Sequence, residues 1–390
     1  MFRYSNKICN DLKREVESLS CVTNKKTDCI IYAYDFFRLK NQLKKQSIDF
    51  LEYPFINAFG VKLSNTQIVK FAKQSVVSFI TKQTKVSAQI DVSKNILGIE
   101  NFYNKNIYGE DVTIAIIDTG ISPHLDFLVP FNRVVKFVDL INNKTNMYDD
   151  NGHGTFVASI ACGCGTISGN KNRGIAYKTK IVSIKALEEN GETGAFKILE
   201  AMQWVYNNKD KYNIKVVCMS FGSSPLEKND PLVIGAESLW NIGIVVVAAA
   251  GNSGPENQTI KSPGYSSKII TVGGLNDNRD SFGNYKREDF EIASFSSRGP
   301  AGYFFKPDVI APAVNITGAS NKKDSFYTVM SGTSVATPMI AGVCCLILSK
   351  YPQLSPDQLK IRLLRNCKQI TNNKNFEGFG LPSFEKFFIY

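Results

Sequence analysis

The chain has 390 residues, 43% hydrophobic and 21% charged, enough to bury a large core and to build one large domain plus a small one. Its net charge of +11 is uneven: residues 1–95 hold 16 Lys/Arg against 8 Asp/Glu, and the rest hold 30 against 27. The basic residues alternate with apolar ones and form no dense run, which reads as a solvated face, and no nucleic-acid partner is expected. No stretch of 18 apolar residues is apparent, so no membrane span is expected. Residues 1–14 are polar and charged, without the apolar core of a signal peptide. The nine cysteines are an odd number without zinc-ribbon spacing. Both observations lead to the expectation of reduced thiols in a cytoplasmic protein.

Residues 1–27 are polar and lack periodicity, and are set apart as an N-terminal extension. From Asp28 a compact pattern begins. Residues 29–34 (CIIYAY) read as a strand, and 36–46 carry Phe37, Leu39 and Leu43 at helical spacing. Residues 49–56 and 58–63 read as two strands joined near Asn57. Ser64-Asn65 can cap a helix running to Lys73, and 76–81 read as a last strand. The sum over 28–87 is β-α-β-β-α-β, a small α+β ferredoxin-like unit.

Residues 88–390 alternate short apolar runs with helical patterns. The runs at 112–118, 181–186, 216–220 and 244–250 suit parallel strands covered on both faces. Helices are expected at 155–162, 192–207, 231–241 and 333–351. This predicts an α/β domain with a mostly parallel sheet and helices on both faces, its site at the carboxyl ends of the strands.

Three motifs carry chemistry. Asp118 ends the apolar run VTIAIID, where a carboxylate is costly unless a partner receives it. His153 lies in DDNGHGT and opens a helix. Ser334 lies in GTSVATP at 332–338, also at a helix start, where free amides and the positive end of the dipole favour developing negative charge. Pro338 is placed in the first turn of that helix, where its missing N–H costs little. A serine hydroxyl needs a base to take its proton, and His153 can do so if Asp118 orients it. Asn252, in AAAGN just past a buried strand, can donate an amide hydrogen to an oxyanion together with the Ser334 backbone N–H. His124, the other histidine, reads as structural.

The order Asp, His, Ser and the motifs IIDTG, NGHGT, AAAGN and GTSVATP resemble those of the subtilisin-like serine proteases, the subtilase family. The resemblance continues through Ser220-Phe221-Gly222, KPDVIAP at 306–312 and LSPDQL at 354–359, covering about residues 88–385. It implies a serine endopeptidase acting on protein or peptide substrates through a Ser334 acyl-enzyme, with no cofactor required for the chemistry. Substrate would bind as an added strand along Ser220, Phe221 and Gly222, with Ala249, Gly251 and Lys261 lining the pocket beside the scissile bond.

Residues 28–87 are similar to the family's propeptide domain, a folding aid and tethered inhibitor. That implies a zymogen that cuts itself near residues 84–92; a permanent accessory domain is the alternative. The resemblance also places Asp126 and Gln89 at a structural calcium site. The segment 162–172 (CGCGTISGNKN) lacks the carboxylates of such a loop, which leaves calcium binding open. Lys261 stands where most relatives have a small residue. It either favours an acidic substrate side chain or extends to solvent and leaves an apolar pocket. The competing class of function is a catalytically silent binding or regulatory protein that retains its prodomain.

Overall fold

The computed structural model describes residues 7–9, 12, 26–82, 89–225, 229–280, 283–322, 324–385 and 387–388. The chain forms two compact units, Met1–Val86 and Ser87–Tyr390.

In the first unit, β1 (Lys26–Ala33) leads into α1 (Phe36–Lys45), whose N-terminus is capped by Asp35 accepting from Arg38 N at 3.0 Å. β2 (Phe50–Tyr53) is shorter than the sequence pattern predicts. Pro54 opens a 3₁₀ turn, and Asn57, at φ +51°, reverses the chain into β3 (Ala58–Ser64). A capping box between Ser64 and Gln67 starts α2 (Asn65–Ala72), and β4 (Val77–Lys82) completes the unit. The four strands pair antiparallel in the order β2-β3-β1-β4. Ile31, Leu39, Leu43, Phe59, Phe71 and Ile80 fill the core between sheet and helices. Ile8 and Leu12 are buried in the same core, and Lys7 Nζ donates to Gln74 O and Val77 O. Lys7, Ile8 and Leu12, which lie ahead of Asp28, are therefore part of this unit's packing.

The second unit opens with α3 (Gln89–Leu97) and β5 (Thr113–Asp118), followed by β6 (Val134–Asp139) and α4 (His153–Cys162). β7 (Lys180–Lys185), α5 (Ala195–Tyr212), β8 (Ile214–Met219), α6 (Pro231–Asn241) and β9 (Val245–Ala249) alternate along the chain. β10 (Ile270–Asn276), β11 (Glu291–Ile292), β12 (Val309–Pro312), β13 (Ile316–Ala319) and β14 (Tyr327–Met330) precede α7 (Thr333–Lys350) and α8 (Pro356–Arg365). The main sheet runs β11-β10-β9-β8-β5-β7-β6, with β12 beside β10, and every pair but β10·β11 is parallel.

Every residue of β5 and β9 is buried, which is why β9 is apolar throughout and β5 is apolar from Ile114 to Ile117. The chain builds outward from β5 to β7 and β6 on one side, and through β8, β9 and β10 on the other. The crevice at the carboxyl ends of β5 and β8 is therefore the switch point where α/β sheets bind ligands. α7 packs across β8, β9 and β10 and against α4. By length and composition alone this helix could cross a membrane. Residues 335–348 are all buried in the fold, so its apolar surface is already spent on this core.

Candidate active site

Asp118 ends β5 and is 1% exposed. Its Oδ1 accepts Thr119 N at 2.8 Å and faces His153 Nδ1 at 2.8 Å. This approach depends on two glycines. Gly120 sits at φ +121°, and a Cβ on Gly154 would lie 2.2 Å from Gly120 O. The loop after β5 and the first turn of α4 thus touch backbone to backbone.

Asp149, which sequence reasoning did not single out, holds that turn in place. Its carboxylate accepts Gly152 N (2.8 Å), Thr155 N (2.8 Å) and Thr155 Oγ1 (2.7 Å), taking up donors that a helix start leaves unpaired. Thr119 Oγ1 donates to Asp149 Oδ1 at 2.9 Å and accepts Gly154 N at 2.8 Å, tying β5 to α4. The visible signal was an Asp just ahead of a helix start, a capping pattern.

A carboxylate can only accept, so Nδ1 of His153 carries the proton and Nε2 holds the lone pair. Burial acts to lower the His153 pKa. The adjoining Asp118 carboxylate, with Asp149 behind it, outweighs that and leaves the pKa above the ordinary histidine value. The imidazole is thereby a base whose protonated form is stabilised.

Ser334 is the second residue of α7, where no helical carbonyl is available to its N–H. Gly332 precedes the helix at φ +153°. A Cβ there would lie 3.1 Å from Ser334 Oγ and 3.2 Å from Asn252 Nδ2, so the space a side chain would fill is bordered by both groups. The amide of Asn252 is oriented by Thr333, whose N and Oγ1 both donate to Oδ1 at 2.9 Å. That leaves Nδ2 to point outward as a donor.

Pro338 is not in the first turn. It is the sixth helical residue, and its missing N–H leaves the Ser334 carbonyl without its usual helical donor. The helix continues because α7 is held on all sides by the core.

Ser334, Asn252 and Thr333 line one cleft of about 250 Å³ together with Ser220, Phe221, Gly222, Ala249, Gly251, Ser253 and Lys261. All six residues expected to bind substrate are therefore gathered beside Ser334. Among the described residues no hydrogen bond joins the His153 ring to Ser334; the packing of α4 on α7 brings their helices side by side. With a base, a hydroxyl at a helix start and an aimed amide donor, the arrangement is equipped for acyl transfer.

His124 is separate from this chemistry. It is buried, its Nδ1 accepts Asp126 N at 3.2 Å, and its Nε2 meets Phe326 O at 2.9 Å. Asp126 itself does not fit a calcium ligand. Its Oδ1 accepts Ile167 N at 3.2 Å, its Oδ2 accepts the Tyr327 hydroxyl at 2.6 Å, and its carbonyl accepts Cys164 N at 3.0 Å. The buried Arg133 guanidinium also donates to the Asp126 carbonyl and, at 2.5 Å, to Cys162 O. A cation from the protein's own chain thus occupies the carbonyl acceptors at the head of the 162–172 loop. The Gln89 side chain lies outside the described residues. Among the described residues no cluster of three His, Cys, Asp or Glu could hold a metal. None of the described cysteines forms a disulfide, and burial pushes the Cys162 thiol up to about 12 and raises those of Cys218, Cys344 and Cys345, which makes these four inert packing groups.

Residues 109–380 match the subtilase family, peptidase S8. Serine protease AprX of Bacillus subtilis (strain 168) is 39% identical over 316 residues, 76% of this chain and 68% of that protein. M-protease of Shouchella clausii (strain KSM-K16) is 29% identical over 364 residues, 91% of this chain and 86% of its own. Among solved structures, Sphericase superimposes with a TM-score of 0.61 at 26% identity, over 73% of this chain and 97% of its own. Fold, gathered site and sequence agree: the chain belongs to the subtilase family of serine endopeptidases.

Proposed function

We propose that Ser334, His153 and Asp118 hydrolyse peptide bonds through an acyl-enzyme. His153 Nε2 takes the Ser334 proton as Oγ bonds to the scissile carbonyl carbon. The carbonyl oxygen, now negative, accepts from Asn252 Nδ2 and the Ser334 N–H. His153 then passes its proton to the leaving nitrogen as the C–N bond breaks, and water repeats the sequence to release the acid. The observation that carries this reading is the 2.8 Å contact of His153 Nδ1 with Asp118 Oδ1 at the mouth of the switch-point crevice. Serine–histidine hydrogen bonds in such sites are often loose until substrate is bound.

The chemistry needs no cofactor, and calcium is not required to hold the 162–172 loop. We further read the β-α-β-β-α-β unit as an inhibitory propeptide, so that the chain is made as a zymogen. Its size and topology support this, as does the M-protease alignment: 91% of the chain is more than residues 87–390 contain, so that similarity extends into the first unit. The stretch 84–92, where self-cleavage is expected, lies largely outside the described residues.

Intact mass and N-terminal sequencing of the wild-type chain and Ser334→Ala test both readings. Cleavage between about residues 84 and 92 in the wild type alone is the expected result. Cleavage in both chains would overturn self-processing. Failure of a fluorophosphonate to label the wild type at Ser334 would overturn the nucleophile assignment and favour a silent binding protein.

A further inference from the structure

Lys261 is the single charged side chain among the residues that line the Ser334 cleft. Its position is fixed from three sides. Its N–H donates to Ala250 O at 2.8 Å, and the next residue, Ser262, pairs antiparallel with Ser223 through two 2.9 Å bonds. Its stem lies against two glycines: a Cβ on Gly222 would fall 2.6 Å from Lys261 Cβ, and one on Gly251 would fall 2.4 Å from Lys261 Cγ. Larger residues at 222 or 251 would collide with this lysine, so both glycines make room for its stem in the cleft wall. Among the described residues its ammonium has no ion pair and no hydrogen bond, and none of the other lining residues is acidic. By contrast, Lys185 and Lys306, two fully buried lysines of this unit, each meet a carboxylate, Asp150 at 2.7 Å and Asp308 at 2.5 Å.

We propose that Lys261 selects substrates whose residue on the acyl side of the scissile bond is Glu or Asp. Such a side chain entering the cleft brings the carboxylate that the ammonium lacks, in a partly enclosed place where a charge-assisted contact is strong. A neutral side chain leaves the ammonium uncompensated, and a basic one adds repulsion. The inference rests on Ser334 being the nucleophile, because that places the cleft beside the acyl-side residue.

The test uses the full chain, after any processing it performs, with four peptides that differ only in that residue: Glu, Gln, Leu and Lys. The wild type is expected to prefer Glu over its isostere Gln by about tenfold or more in kcat/KM, with the preference shrinking as salt is raised. Lys261→Ala is expected to bring the Glu/Gln ratio close to one, and Lys261→Glu to invert the choice toward Lys. Cleavage of the neutral peptides with no Glu preference overturns the specificity claim alone and means that the stem carries its charge out to solvent. A Glu preference that persists in Lys261→Ala also overturns it. If none of the four peptides is cut by the wild type, or if Ser334→Ala cuts them equally well, the catalytic reading fails and the specificity claim falls with it.

Discussion

Asp118 and Asp126 lie eight positions apart, at the end of β5 and in the one-turn helix Leu125–Leu128 that follows it. Both are buried, at 1% and 0% exposure, and each lies beside one of the chain's two histidines. The protein uses them oppositely. Asp126 has both carboxylate oxygens and its carbonyl taken by protein donors. Its neighbour His124 has both ring nitrogens engaged with main-chain groups. Asp118 instead gives one oxygen to His153 and Thr119, and its Oδ2 is buried with no protein partner among the described residues. The His153 side chain remains 24% exposed. Acceptors filled by fixed donors anchor a loop; an acceptor left short keeps its charge to stabilise the imidazolium that forms when His153 takes a proton. The same residue pair, placed in one closed and one open environment, yields an anchor and a catalyst.

Replacing Asp118 is the strongest way to break this contrast. Asp118→Asn is expected to cost about 10⁴-fold in kcat, the effect of presenting the histidine with the wrong tautomer in such a triad. The pH dependence sharpens the point. His153 has a raised pKa, so its base form, and with it kcat/KM, is lost as pH falls through that value. Removing the carboxylate lowers the pKa, so the acidic limb of the residual activity should move to lower pH. Stability runs the other way. A histidine whose pKa is raised on folding stabilises fully below its unfolded value, and loses that contribution as pH rises through the folded value. Asp118→Asn should therefore destabilise mainly in acid, where the enzyme is inactive. An acidic limb that stays in place in the variant would show that Asp118 does not govern His153.

The closed member of the pair is broken through Arg133. Arg133→Met leaves the carbonyls of Asp126, Cys162 and Thr179 each short of a donor, and a buried acceptor left unsatisfied costs about 1–3 kcal/mol. A fall in Tm with unchanged kcat/KM per folded molecule is expected. Because Arg133 already fills this place, a chelator should leave the wild-type Tm where it is. A chelator-induced fall reversed by calcium would mean that a metal shares the loop. Next in size, Asn252→Ala removes one oxyanion donor and should lower kcat about 100- to 1,000-fold with little change in Tm. A loss confined to KM would place Asn252 in ground-state binding instead.

The open member was legible in sequence because its requirements are local. A carboxylate at the end of VTIAIID, a histidine in NGHGT and a serine in GTSVATP each advertise themselves against their own flanks. α6 matches its expected bounds because Asp230 and Pro231 mark its start. What escaped depends on long-range partners. β10 is absent from the strands expected from sequence, its apolar run broken by Gly273 and Gly274, yet those glycines let Pro307 and Ala313 pack against the strand. β6 lies at the sheet edge with half its residues facing outward, so it shows no continuous apolar run. Arg133 has its partners at 126, 162 and 179, and nothing in its own neighbourhood marks it as a buried cation. Asp149 likewise shows a capping pattern, but its tie to Thr119 exists only once β5 and α4 meet.

The smallest expected effect tests whether the two carboxylates are independent. Tyr327→Phe removes one hydroxyl, the donor to Asp126 Oδ2, and leaves that buried oxygen short by one hydrogen bond. An unsatisfied buried acceptor costs about 1–3 kcal/mol, a Tm decrease of several degrees for a chain of this size. Tyr327 touches neither Asp118 nor the Ser334 cleft, so kcat/KM and the position of its acidic limb should be those of the wild type. In Asp118→Asn the reverse should hold near neutral pH, with activity lost and Tm kept. Combining the two substitutions should then add their separate effects, since the sites share no hydrogen-bond partner. An acidic limb displaced by Tyr327→Phe would show that the anchor and the catalyst are coupled through the loop between them.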